Sequence, residues 1–178
     1  DRIASIMTSR GCPYNCIFCS TKAVWERKFR PRDPESVVNE ISSLVDKYGV
    51  TEILINDDQF YLDKNRVIRI CELITKRGIK ISFNVSSGSS VWLLDASLLN
   101  ILKKAGLYRL TFPIESGSTQ TLKYIRKPID LDKTKVLIRT ANRMGIWTYA
   151  NFIIGFPFET HEDIKKTFQY AKSCGLDY

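Results

Sequence analysis

Three cysteines fall within the run Arg10-Gly11-Cys12-Pro13-Tyr14-Asn15-Cys16-Ile17-Phe18-Cys19, a C-x3-C-x2-C spacing. Thiolates are soft metal ligands, and three on one short loop can reach three irons of a cubane cluster, for which four cysteines are the usual complement. With three, one iron keeps an open coordination position, the feature that lets a metal site do chemistry rather than hold structure. The competing reading is structural zinc, which takes four Cys or His ligands, usually as two pairs. The one histidine, His161, lies far along the chain at a helix start, and Cys71 and Cys174 fall on apolar helix stripes where packing accounts for them. Cys12, Cys16 and Cys19 are therefore the expected ligands of a [4Fe–4S] cluster. An odd, clustered cysteine count also argues for a reducing compartment, the cytoplasm, over a disulfide framework.

The elements that must position this loop read as alternating strands and amphipathic helices. Strand-like runs cover 3–8, 52–56, 79–85, 109–114 and 147–154. Helical patterns follow each: one from Asp33-Pro34 to Gly49, one from about Asp63 to Gly78, one from Asp95 to Gly106, a short one and then a longer one over about 131–144, and one capped by Thr160. Repeated strand–helix units in one order imply parallel strands with right-handed crossovers. An apolar strand such as Ile53-Leu54-Ile55 suggests a sheet covered on both faces. In barrel-like folds of this kind chemistry collects at the C-terminal ends of the strands. The cysteine loop, Asp57-Asp58, Glu115-Ser116 and the Gly155-Phe156-Pro157 turn all fall at such ends. Hydrophobic residues make up 44% of the 178, enough for one domain's core, and no apolar run is long enough to cross a bilayer. The net charge of +8 would suit an anionic substrate, an acidic electron donor or nucleic acid. Most basic residues alternate with acids along helices, which favours a merely solvated surface, so nucleic acid is not an expected partner. The exception is the run from Lys22 to Arg32, where five cations face only Glu26.

The Cys-x3-Cys-x-aromatic-Cys loop after a first strand, with these later strand ends, resembles the radical S-adenosylmethionine (SAM) superfamily over essentially the whole chain. The resemblance implies an α/β fold, a partial parallel (β/α) barrel with five of six strand–helix units within residues 1–178, the sixth unit and an upstream domain lying outside. It implies a [4Fe–4S] cluster whose open iron binds SAM and whose electron cleaves the S–C5′ bond, giving a 5′-deoxyadenosyl radical that abstracts hydrogen from substrate. By the same resemblance Phe18 would lie against the adenine. Asp57 and Asp58 stand where Gly-Gly-Glu is common and would accept the methionine ammonium, or else cap the turn. Glu115 and Ser116 would reach the ribose or the methionine end, unless Glu115 is a buried carboxylate paired with Arg109 or Arg126. Arg126 and Lys127 are the two candidates for the methionine carboxylate. Asn151 would contact the ribose and Ile153 the adenine, although Asn151 and Phe158 replace glycines of the family pattern.

Three local runs, 6–16, Val24-Trp25 with Lys28-Phe29-Arg30, and Ile154-Gly155-Phe156-Pro157, resemble the branch whose members carry a cobalamin-binding domain. That branch implies methyl transfer to a small-molecule substrate, with cobalamin held outside residues 1–178, and an acidic electron donor such as a flavodoxin or ferredoxin. A neighbouring branch, the transfer-RNA methylthiotransferases, is the alternative enzyme reading, and a non-catalytic metal-binding module the alternative outside catalysis. Ser86 to Trp92 would line a substrate space or form a plain loop.

Overall fold

The computed structural model describes residues 2–87 and 89–178; Asp1 and Gly88, the latter inside the 86–92 segment, lie outside the described residues. The elements in chain order are β1 (Ile3–Ile6), β2 (Ser9–Arg10), α1 (Thr21–Trp25), β3 (Arg30–Pro31), α2 (Pro34–Tyr48), β4 (Glu52–Ile55), α3 (Lys64–Lys76), β5 (Ser82–Val85), α4 (Ala96–Lys104), β6 (Leu107–Glu115), α5 (Thr119–Tyr124), α6 (Leu131–Arg143), β7 (Trp147–Phe152) and α7 (His161–Ser173). Short 3₁₀ turns at Phe60–Leu62 and Val91–Leu93 precede α3 and α4.

Five strands form one parallel sheet in the order β1-β4-β5-β6-β7. Spatial order follows chain order without reversal, which is the arrangement of a barrel wall and not of a doubly wound sheet. One face is apolar: Ile53 and Ile55, Phe83 and Val85, and Leu110, Phe112 and Ile114 are buried with Val37, Val38 and Ile41 of α2, Val67, Ile70 and Ile74 of α3, and Leu98, Leu99 and Leu102 of α4. The other face departs from the expectation of two covered faces. It carries Ser5, Glu52, Asn56, Asn84 and Arg109, joined by Glu52–Tyr108, Asn84–Tyr108 and Arg109–Asn84 hydrogen bonds. Strand side chains alternate, so an Ile-Leu-Ile run places only its two isoleucines in the helix-covered core.

Local chemistry fixes the helix starts. Asp33, Asp63, Asp95, Ser118, Asp130 and Thr160 each accept a backbone N–H of the following first turn, and Pro34 occupies the first turn of α2, where no N–H is needed. The pattern did not expose the 9–32 segment. There β2 pairs antiparallel with β3, folding the basic run back against the cysteine loop. Gly11, at φ +87°, permits this: a Cβ there would lie 1.9 Å from the Lys28 carbonyl oxygen. The last two residues bond to the edge of the sheet, Asp177 N–H donating to the Thr148 carbonyl at 3.0 Å and Ala150 N–H to that of Tyr178 at 3.3 Å.

Candidate functional site

The cysteine loop leaves β1 at its C-terminal end and is held there by a buried carboxylate. Asp57, fully buried just past β4, accepts from the Thr8 backbone N–H at 2.6 Å, the Thr8 hydroxyl at 2.5 Å and the Ser9 hydroxyl at 2.6 Å. Arg66 of α3 adds its guanidinium to the Thr8 carbonyl at 2.6 Å and the Arg32 carbonyl at 2.9 Å. Both oxygens of Asp57 are thus committed to the protein. Its neighbour Asp58 points the other way: one oxygen accepts the Gly11 N–H at 2.9 Å, and the side chain lines the cavity beneath the cysteines.

That cavity, about 230 Å³, is bounded by Cys12, Cys16 and Cys19 together with Tyr14, Phe18, Asp58, Gln59, Trp92, Pro113, Glu115, Lys127 and Asn151. An adjoining space of about 290 Å³ is bounded by the same three cysteines and by Asn15, Ile17, Lys22 and Arg27. The thiols therefore border both spaces, called inner for the one at the strand ends and outer for the one on the basic segment. A roomier groove of about 590 Å³ between the 91–93 turn and α6 shares only Trp92 with the inner space and holds no cysteine. Among the described residues no three His, Cys, Asp or Glu side chains converge as ligands of one metal ion. Burial pushes the Cys12 and Cys16 thiols up, and nearby Lys127 pulls Cys16 back down. Metal ligation at these thiols would displace their protons.

The donor set fits a cluster that three cysteines hold. Three thiols share one cavity, Gln59 aims an amide N–H at the Cys12 sulfur at 3.2 Å, and the Thr21 hydroxyl lies 3.1 Å from the Cys19 sulfur. The surroundings fit an amino-acid zwitterion beside it, with a carboxylate at Asp58 and an ammonium at Lys127 facing one space.

The structure sorts the sequence candidates. Phe18 lines the cavity, with its ring 6.0 Å from that of Phe156. Glu115 lines it in an ion pair with Lys127 at 2.9 Å, side chains 9% and 8% exposed, and neither Arg109 nor Arg126 is its partner. Burying such a pair is costly, and Glu115 also sits at φ +69°, a strained backbone for this residue type. Ser116 is fully buried away from the cavity, its hydroxyl 3.1 Å from that of Thr167 and accepting the Ser118 N–H. Of the two basic candidates Lys127 faces the cavity. Arg126 is exposed at φ +57°, and the turn it makes delivers Lys127 inward and leaves its own carbonyl to accept from the Cys16 thiol. Asn151 lines the cavity, whereas Ile153 joins through its backbone N–H, which donates to the Glu115 carbonyl at 2.8 Å. Sequence reasoning missed Gln59 and Tyr14. Trp92 also walls the cavity, where the sequence places it only at the end of the ambiguous 86–92 segment. Tyr14 and Trp92 meet edge to face at 5.1 Å, joined by an indole-to-phenol hydrogen bond, and Lys127 lies 5.5 Å over the Trp92 ring.

Comparison with known proteins gives this arrangement a family context. Residues 6–171 match the model of the radical SAM superfamily. The chain is similar to an uncharacterized methyltransferase of Pyrococcus horikoshii, 37% identical over 97% of this chain and 37% of that protein. It is also similar to the cytidylyl-2-hydroxyethylphosphonate methyltransferase of Streptomyces wedmorensis, 34% identical over 99% of this chain and 34% of that protein. Among solved structures, the radical SAM methyltransferase TsrM from Kitasatospora setae superposes with a TM-score of 0.88 at 20% identity, covering 98% of this chain and 34% of that one. The chain thus spans about a third of the length of these relatives.

Proposed function

Since the chain belongs to the radical SAM superfamily, we propose that Cys12, Cys16 and Cys19 hold its [4Fe–4S] cluster, that SAM occupies the inner cavity, and that the full-length protein is a cobalamin-using methyltransferase of the cytoplasm. The observation that carries the reading is the single cavity at the strand ends onto which the three thiols, Asp58, the Glu115–Lys127 pair, Phe18 and Asn151 all face. When bound, the cluster supplies the electron that cleaves SAM to a 5′-deoxyadenosyl radical.

The chain's own residues bind, orient and shield. Asp58 accepts the methionine ammonium with the oxygen the Gly11 N–H leaves free, a charge-assisted bond between opposite charges. Lys127 meets the methionine carboxylate, with Glu115 holding its ammonium in place. Asn151 bonds the ribose, and Phe18 covers the adenine. Tyr14 and Trp92 wall the space against water, which would compete for these bonds. Methyl transfer and cobalamin are carried over from relatives: the Streptomyces wedmorensis protein is named a methyltransferase, and a TsrM structure holds cobalamin and a [4Fe–4S] cluster. An acidic one-electron donor protein would dock where the outer space opens at Lys22 and Arg27.

The test is anaerobic iron and sulfide reconstitution of the full-length protein, then electron paramagnetic resonance (EPR) of the reduced form with and without SAM. A [4Fe–4S] signal that changes on adding SAM and vanishes in Cys16→Ala is expected. Bound zinc without a cluster, or a cluster signal indifferent to SAM, would overturn the reading.

A further inference from the structure

Gln59 is the buried polar side chain of the site whose purpose the reaction leaves unexplained. It follows Asp58 at the end of β4 and is 7% exposed. Its Nε2 lies 3.2 Å from the Cys12 sulfur, and its Oε1 lies 3.3 Å from the Ser90 backbone nitrogen and against the Ser90 hydroxyl. The amide's orientation is fixed by chemistry. A backbone N–H can only donate, so the oxygen must face Ser90 and the NH2 must face sulfur; the flipped amide would set donor against donor. Ser90 is itself fully buried, and the Ser89 hydroxyl accepts the Phe60 N–H at 2.8 Å, so the two segments on either side of Gln59 are clamped together. The amide is therefore aimed at the sulfur in advance.

We propose that Gln59 is a positioning residue that hydrogen-bonds the Cys12 thiolate of the bound cluster and raises its reduction potential, an inference that rests on the cluster assignment above. Three thiolates on a doubly positive cubane carry one net negative charge, and uptake of one electron doubles it. The added charge is spread over sulfur, so a fixed N–H dipole there favours the reduced state more than the oxidised one, one of the ways proteins set cluster potentials. Among the described residues no side-chain amide is bonded to either of the other two cysteines. Cys16 faces the Arg126 carbonyl, which cannot donate, and the Thr21 hydroxyl beside Cys19 lies at an exposed position where water competes.

The experiment is a redox titration of the reconstituted full-length protein, with the reduced cluster read by EPR, in the parent, Gln59→Met and Gln59→Glu. Met keeps the length and neutrality of the side chain but has no donor. Glu keeps an acceptor for the Ser90 N–H, so it preserves the clamp should Met disturb it. At a fixed poised potential the ratio of reduced to oxidised cluster is expected to fall about threefold or more in Gln59→Met, about 30 mV for a one-electron couple, and further in Gln59→Glu. Iron and sulfide content should match the parent. A full cluster with the parent's potential in Gln59→Met, or in Gln59→Glu where only that variant loads, overturns this inference alone. A parent that takes up no cluster overturns the cluster assignment and this inference with it.

Discussion

Adjacent carboxylates at the end of β4 have different duties because a strand end still alternates its faces. Asp57 turns toward Thr8 and Ser9 and closes the sheet over the cysteine loop, while Asp58 turns into the cavity. Asp57→Asn should therefore cost stability: it removes a charged acceptor from three buried donors, worth about 2–4 kcal/mol, visible as a lower midpoint in urea unfolding of the reconstituted protein. Asp58→Asn should leave that midpoint nearly unchanged and weaken SAM binding by about tenfold or more, the worth of one charge-assisted hydrogen bond, read by equilibrium dialysis. Equal losses of stability in both variants would defeat the division of labour. The sequence shows an acidic pair at a strand end and cannot say which member faces which way, since the answer depends on one residue of register. The cysteines were legible as candidate ligands because their close spacing is visible in the sequence itself. Lys127 was not separable from Arg126, because the choice turns on the left-handed backbone at Arg126. Gln59 left no signal, since an amide donor to sulfur has no spacing to recognise.

At the scale of elements, the segment just after the left-handed Glu115 is docked on α7. Gly117 packs so closely on that helix that a Cβ would lie 2.6 Å from the Lys166 carbonyl oxygen and 2.7 Å from the Thr167 Cα. Asp163 ties the two together: its carboxylate accepts the Ser118 hydroxyl at 2.6 Å and, from the start of α7, the Thr160 hydroxyl at 2.6 Å. These bonds, Ser118 first, hold the Asp163 carboxyl down to about 2. An acid with a depressed folded-state value stabilises the fold above its unfolded value, near 3.9, and that contribution is lost as pH falls through about 2. The stability difference between the parent and Asp163→Asn should accordingly be flat above about pH 5 and shrink between about pH 4 and pH 2, measured by urea unfolding of the apo protein at a series of pH values. A difference that does not change with pH would show that the carboxylate is not what docks α7. The Thr160 capping box and the aspartate caps of α2 and α4 were legible from their residues alone, because capping is local. The Asp163 bond to Ser118, 45 residues away, and the β2–β3 ladder were not, because they depend on which segments the barrel wall brings together.

For the molecule as a whole, charge and apolar exposure coincide at the outer mouth of the cysteine loop. Lys22 and Arg27 line that opening, Lys28 and Arg30 are exposed beside it, and Ile17 and Val24 present apolar surface at 49% and 64% exposure. The acidic residue of this segment, Glu26, is already paired with Lys28 at 3.2 Å. Basic residues around an apolar centre suit an acidic partner, and electrostatic complementarity acts mainly on the encounter rate. With SAM proposed for the inner space, an electron delivered by a protein is expected to enter from the side of Lys22 and Arg27. In the full-length protein, Lys22→Glu combined with Lys28→Glu should slow SAM cleavage driven by reduced flavodoxin or ferredoxin by about tenfold at low ionic strength, with the gap closing as salt screens the surface. Cleavage driven by dithionite, which needs no docking, should stay at the parent's rate. The pair of reductants keeps the outcomes apart: equal loss with both would mean the cluster itself was damaged, and equal rates with the protein donor would place electron entry elsewhere on the molecule.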